Sequence, residues 1–310
     1  MNTQSNPLSE SLQTQRATPA VLSATRPMYW SVRRELLENR WIYLGQLAVA
    51  GVFLLGYLIS LHHLPGLMRS LSAMAPMQRR EAIATPYDIA AGVMMATLIL
   101  MSLFYSADAL HGERRDRSIL FWKSLPVSDA TTVLAKASVL LVVLPLLTFA
   151  VTVAMQVIML LLNSVALAAS GYSVGLLWGE LGVVRMWGQL LYHLLTAHAL
   201  WPLPVFCWVM LVSGWARRAV LLWAALPVVA IGAIEELVFH TTDVIEITLG
   251  RLIGGGAPTD ITHGEMMPLG PLTHLTPLRF LGSPDLWIGL FFAALFLAAA
   301  IRLRRYQGPI

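Results

Sequence analysis

Apolar residues in this chain gather in long unbroken runs separated by short polar stretches. About 20 apolar residues cross the hydrocarbon layer of a bilayer as a helix. With no water there, every backbone N–H and C=O must bond within its own segment, which excludes open-edged structure. Six runs meet that length, at residues 44–61, 89–107, 137–162, 190–212, 219–237 and 286–301. The pattern predicts an all-α polytopic membrane protein of six transmembrane helices.

The polar stretches differ in kind. Residues 28–41 (MYWSVRRELLENRW) interleave Tyr29, Trp30, Val32, Leu36, Leu37 and Trp41 with basic residues just before the first run. That mixture predicts an N-terminal interfacial amphipathic helix, with Arg33 and Arg40 snorkelling from its apolar face. A cytosolic extension of the first span is the alternative. Residues 1–27, rich in Ser, Thr and Gln, read as a disordered cytosolic tail. A secretory signal is not expected, because the first apolar run begins only near Leu44, after five arginines. Residues 238–285 carry Gly254, Gly255, Gly256 and five prolines, a density that predicts an irregular external segment before the last helix. The segment reads as a partly ordered external cap, in which apolar patches such as 244–253 could still form short helices that dip back toward the membrane.

Composition supports lipid as solvent. Hydrophobic residues make up 57% of the chain and charged ones 12%, against about 25% charged in ordinary soluble domains. The net charge of +4 comes mostly from arginine at the flanks of apolar runs. Those positions favour membrane orientation over nucleic-acid binding. With the N-terminus inside, fifteen Lys and Arg face the cytosol and six the other side. Both termini are therefore expected to be cytoplasmic and the chain to sit in the cell (inner) membrane. The single cysteine, Cys207, excludes an intrachain disulfide and reads as a small buried hydrophobe.

Catalytic motifs are sparse. The chain has no Gly-x-x-x-x-Gly-Lys-Ser/Thr loop, no His-Glu-x-x-His and no Gly-x-Ser-x-Gly. His193 and His198 stand five apart, about 140° around a regular α-helix, which argues against a shared metal. No catalytic residue and no metal ligand are expected. Glu235 and Glu236 resemble the start of the Glu-Glu-x-x-x-Arg motif of the CAAX-protease-like family. The sixth position here is His240, and the supporting Phe-x-x-x-His is missing. The pair therefore reads as a helix-end feature, with a place on a translocation path as the other option. Gln156 and Asn163, seven apart on one helical face, predict interhelical hydrogen bonds or the lining of a polar path.

The densest polar chemistry lies in residues 108–136, between the second and third runs: DALHGERRDRSILFWKSLPVSDATTVLAK. Pro126 disfavours helix at Leu125, and Ser128 or Asp129 can cap the helix carrying Lys136 into the third run. The segment reads as a short interfacial helix, a break, then a newly capped helix. Ile119, Leu120, Phe121 and Trp122 beside Arg and Asp would suit a socket on a cytosolic partner.

Here the chain resembles the permease subunits of ABC-2 type ABC transporters. The resemblance rests on Glu113-Arg114-Arg115-Asp116-Arg117-Ser118, then Leu125-Pro126-Val127-Ser128, then Lys136. It implies that residues 28–310 form one ABC-2 type transmembrane domain. Such permeases work as dimers, so a second copy of this chain is the expected membrane partner besides lipid. Two ABC ATP-binding subunits would sit beneath them, holding the ATP and Mg that this chain lacks. By the same resemblance, Glu113, Arg114, Arg115, Asp116, Arg117, Leu125, Pro126, Val127 and Ser128 would couple export to the ATPase. The chain itself would be no enzyme. The alternatives are an intramembrane protease-like enzyme built on Glu235 and Glu236, or a non-transporting membrane scaffold.

Overall fold

A computed structural model describes residues 25–61, 74–124, 127–169, 174–255, 257, 277–306 and 308. Most of the expected tail, Leu125, Pro126 and much of the external segment lie outside them. The described residues fold as helices, with no strand among them.

Helix α1 (Thr25–Glu38) leads almost directly into α2 (Trp41–Ser60). Next come α3 (Pro76–Asp108), the short α4 (His111–Arg115) and α5 (Ile119–Ser124). The 41-residue α6 runs Asp129–Ala169. It is followed by α7 (Gly175–Leu181), α8 (Val183–Leu200) and α9 (Leu203–Trp215). The chain closes with α10 (Val220–Phe239), α11 (Asp243–Ile253), α12 (Pro277–Leu281) and α13 (Pro284–Tyr306).

Five of these helices are long and apolar enough to cross a bilayer: α2, α3 (continued into α4), α6, α10 and α13. A sixth crossing results if α8 and α9, which meet at 45°, count as one span. The helices exceed the apolar runs in length because a helix does not stop where apolarity does. At 33 residues α3 is about 50 Å long, against roughly 30 Å of hydrocarbon. It therefore projects beyond the run at 89–107.

The fourth run is not the straight helix its apolarity predicts. The chain makes a π turn at Thr196–Leu200, where Trp201 N–H bonds to Thr196 O at 2.9 Å, and bends before α9. A second π turn, Val139–Val143, interrupts α6, closed by Leu144 N–H to Val139 O. In both cases a proline follows at once, Pro202 or Pro145. Proline has no N–H to give the carbonyl four residues back. The preceding residue bonds one carbonyl further away instead, which inserts a residue into the turn. The two π turns pack against each other. The π turn also alters the spacing of His193 and His198, whose expected separation assumed a regular helix.

The core forms around α3, which packs against α2, α6, α9 and α10. One cluster joins Tyr87, Met94, Met155 and Met159. The next joins Ile42, Leu98, Leu140, Leu144, Leu190 and Phe206. Outward faces of α2, α10 and α13 carry Leu55, Leu226, Val229, Trp287 and Phe291 in the open, as an apolar solvent allows. Helix α11 forms over the apolar patch at 244–253 and packs back against α10, its Ile245 seated over Gly232. Arg251 near its end stacks on Trp201 at 4.5 Å and donates to Asp285 O at 2.7 Å. The Arg251 guanidinium fills the space a Cβ would take at Gly289.

Candidate docking site at the charged end of the bundle

The polar segment between α3 and α6 carries two short helices, α4 and α5, and then the expected capped helix; the break expected at Leu125 and Pro126 lies outside the described residues. Helix α6 starts at Ser128, whose Oγ accepts Thr131 N–H at 3.1 Å. Its backbone is extended there, φ −71° and ψ 150°, as an N-cap requires. Val127, just before it, is half-buried.

A knot of buried charge holds this end together. Glu35 of α1 is 1% exposed and Lys136 of α6 is 3% exposed. Lys136 Nζ donates to both Glu35 oxygens, at 2.8 and 2.9 Å, and lies 3.2 Å from Glu113 Oε1. On the other side of Glu113, Arg304 of α13 donates to Oε2 at 2.9 Å, and its second amine reaches Asp129. Arg34 donates to Glu35 at 2.8 Å and to Glu113 at 3.3 Å. Tyr105 Oη closes the set, donating to Glu35 Oε2 at 3.0 Å. Three carboxylates, Glu35, Glu113 and Asp129, thus meet three cations, Arg34, Lys136 and Arg304. Burying ions is costly unless each is paired and hydrogen-bonded, and this set is balanced.

The knot decides which loop residues face outward. Glu113 is a member of it and Arg114 is buried beside it. Arg114 donates to Gly214 O at 2.6 Å and to Ala216 O at 3.4 Å. Those carbonyls lie at the C-terminal end of α9, where four backbone acceptors lack helical partners. Leu110 N–H bonds Ser213 Oγ at 3.2 Å in the same joint. Of the nine expected coupling residues, Glu113 and Arg114 therefore build the elbow instead of presenting it. Arg115, Asp116 and Arg117 are exposed. Arg117 has φ +60°, a left-handed turn that aims α5 away from α4.

Helix α5 divides in the same way. Ile119 is 2% exposed and anchors it, while Leu120 and Phe121 stand 60% and 59% exposed. Trp122 is half-buried beneath the Arg34 guanidinium, 3.9 Å above its ring. The apolar side chains free for a partner are thus two of the four the pattern offered, Leu120 and Phe121.

Helix α1 is amphipathic, but its inward face is polar. Ser31 and Glu35 are buried, whereas Tyr29, Trp30 and Leu37 are exposed. Nothing in the periodicity of residues 28–41 showed that the core would receive the carboxylate. Glu35 directly after Arg33 and Arg34, with Lys136 inside an apolar stretch, was the signal available.

The other singled-out residues lie elsewhere. Gln156 Nε2 donates to Tyr87 O at 3.1 Å and its Oε1 accepts from Trp187 at 3.0 Å. Asn163 Nδ2 donates to Tyr87 Oη, and Asn163 Oδ1 accepts from Tyr57 Oη, both at 2.8 Å. These amides tie α2, α3, α6 and α8 together. Glu235 Oε2 accepts Val244 N–H at 3.0 Å and Oε1 accepts from Thr241 at 3.1 Å. It acts as a cap for α11, and Glu236 is exposed. Among the described residues no group of three or more His, Cys, Asp or Glu is placed to hold a metal. Comparison with family models, curated proteins and solved structures finds no match for this chain.

Proposed function

We propose that the chain is the membrane-spanning permease subunit of an ATP-driven exporter of the ABC-2 type. In this reading α2, α3, α6, α8–α9, α10 and α13 are six spans, and α1 lies in the cytosolic interface with Tyr29, Trp30 and Leu37 toward lipid. Both termini are cytosolic, in the inner membrane. A second copy completes the permease, and two ATP-binding subunits holding ATP and Mg dock beneath it.

One observation carries the reading. The elbow of α4 and α5 is braced from inside by charges on α1, α6 and α13, yet turns Arg115, Asp116, Arg117, Leu120 and Phe121 to solvent. A push on Leu120 and Phe121 would pass through Glu113 into three other helices at once. A rigid lever with an amphipathic tip is what a motor subunit needs from its permease. A partner that binds two arrangements of this lever with different affinity would shift the balance between them.

The test is co-expression with a P-loop ATPase encoded beside the chain, followed by purification in detergent. The ATPase is expected to co-purify with the native chain and to be lost with Leu120→Glu/Phe121→Glu. An ATPase that never associates, or that associates equally with both chains, would remove the reading.

A further inference from the structure

Helices α9 and α10 are joined by only four residues, Ala216, Arg217, Arg218 and Ala219. So short a link between two apolar helices keeps the turn at one face of the bundle. That face is the charged end, where Arg114 of the elbow donates to Gly214 O and Ala216 O. The turn frames an open pocket of about 650 Å³, lined by Trp215, Ala216, Arg217, Arg218 and Trp223.

Every polar side chain of this pocket is a donor, since guanidinium and indole carry N–H groups and no acceptor. Among the described residues Arg217 and Arg218 have no carboxylate partner, and neither indole N–H has an acceptor. Arg217 instead stands close enough to Arg114 for the two like charges to repel. The carbonyl at the turn is already used, because Ala216 O meets His111 Nδ1 at 3.2 Å as well as Arg114. Helix α10 starts behind a left-handed Ala219, φ +51°, with no side-chain cap. Its first N–H groups thus lack a side-chain partner, and its dipole favours an anion there. Two unpaired arginines, a like charge and an uncapped helix start sum to a positive site that nothing in the pocket balances.

The indole rings select among anions. Trp215 and Trp223 stand edge to face, 5.4 Å apart, and both are exposed. Tryptophan collects where hydrocarbon meets headgroups. From the same turn, Leu222, Leu226 and Val229 run as an exposed apolar stripe along α10. A free anion would use the arginines and leave that stripe idle, whereas a phospholipid uses both.

We infer that the α9–α10 turn binds the headgroup phosphate of an anionic phospholipid, with Arg217 and Arg218 on the phosphate and an acyl chain along Leu222, Leu226 and Val229. The inference needs the chain to lie in a membrane but not to be a permease. Guanidinium suits phosphate because its paired N–H groups match two oxygens. Basic pockets beside membrane helices take anionic headgroups in this way.

The test is the melting temperature of the full chain in a neutral detergent, titrated with phosphatidylglycerol. That lipid is expected to raise it saturably, and phosphatidylcholine or inorganic phosphate is not. Arg217→Gln/Arg218→Gln removes exposed charges that hold nothing in the pocket, so the variant should melt natively without lipid. It is expected to need about tenfold more phosphatidylglycerol to reach its midpoint, in line with the contribution of each basic side chain at a membrane surface. Arg302→Gln/Arg305→Gln removes the same charge from exposed positions near the same end and should keep the native midpoint. The midpoint reads affinity whatever the lipid-free melting temperature, so a destabilised variant still decides. Equal weakening in both variants would reduce the effect to general surface charge and overturn the site. An unchanged midpoint in the Arg217→Gln/Arg218→Gln chain also overturns it, and so does inorganic phosphate that stabilises as well as the lipid. Loss of ATPase retention in that chain, with no response of the native one to lipid, would assign the pocket to a protein partner instead.

Discussion

Lys136 is the residue whose environment leaves it least freedom. It sits 3% exposed with its Nζ against two carboxylates. Lys136→Met removes the cation that both Glu35 and Glu113 share. Removing one partner of a buried pair costs about 3–5 kcal/mol, because the remaining charge stays desolvated. Purified in detergent, the variant is expected to melt well below the native chain. Glu35→Met/Lys136→Met, which takes out both charges, should recover most of that loss. A single variant that melts like the native chain would mean that Glu35 is not buried as described. At this scale the sequence disclosed residue types but not partners. Glu35, Asp129 and Arg304 lie 101, 7 and 168 positions from Lys136, and only the packing of three helices brings them together. Charge near a membrane flank is ordinarily solvated, so nothing in the local pattern separated Arg304 from its exposed neighbour Arg302.

The helices were legible as far as apolarity sets them. All six runs became helical, the fourth with a break at Trp201 and Pro202, as backbone without water to bond must satisfy itself within its own segment. Ser128 capped α6 because its side-chain oxygen is the right length for the Thr131 N–H. The π turns were missed. An apolar count ignores that Pro145 and Pro202 each withdraw one donor, although both prolines were in plain view. The amides of α6 answer a question that periodicity left open. Gln156 and Asn163 each bond on both sides to neighbouring helices. Bonds of this kind in membrane bundles average about 0.6 kcal/mol and reach about 1.7 kcal/mol. Asn163→Leu breaks the links to Tyr57 and Tyr87 together, so the expected loss is about 1–3 kcal/mol in stability, read as a lowered melting temperature; on the permease reading proposed above, transport per folded molecule is retained. Transport abolished at an unchanged melting temperature would instead place Asn163 on the substrate path.

At the scale of the molecule, the arginines of the elbow separate bracing from contact. Arg114 joins α4 to the end of α9 through Gly214 O and Ala216 O, whereas Arg115 and Arg117 reach outward. Side chains that brace should matter to stability, and those that touch a partner should matter to coupling. Arg114→Gln strands carbonyls at the α9 terminus, at about 1–3 kcal/mol, and is expected to lower the melting temperature of the isolated chain. Arg115→Glu/Arg117→Glu breaks only exposed pairs, which are worth about 0–1 kcal/mol, so that variant should insert and melt normally. On the permease reading proposed above, its deficit is expected in the assembled complex, as ATP hydrolysis that no longer drives export, measured in vesicles with both activities read on the same sample. The two effects come from side chains within four positions of each other, so reagents, detergent and expression level act on both variants alike. If Arg115→Glu/Arg117→Glu exports normally, force enters the bundle somewhere other than the tip of this elbow. If it fails only because the isolated chain no longer folds, the outward placement of Arg115 and Arg117 is itself mistaken.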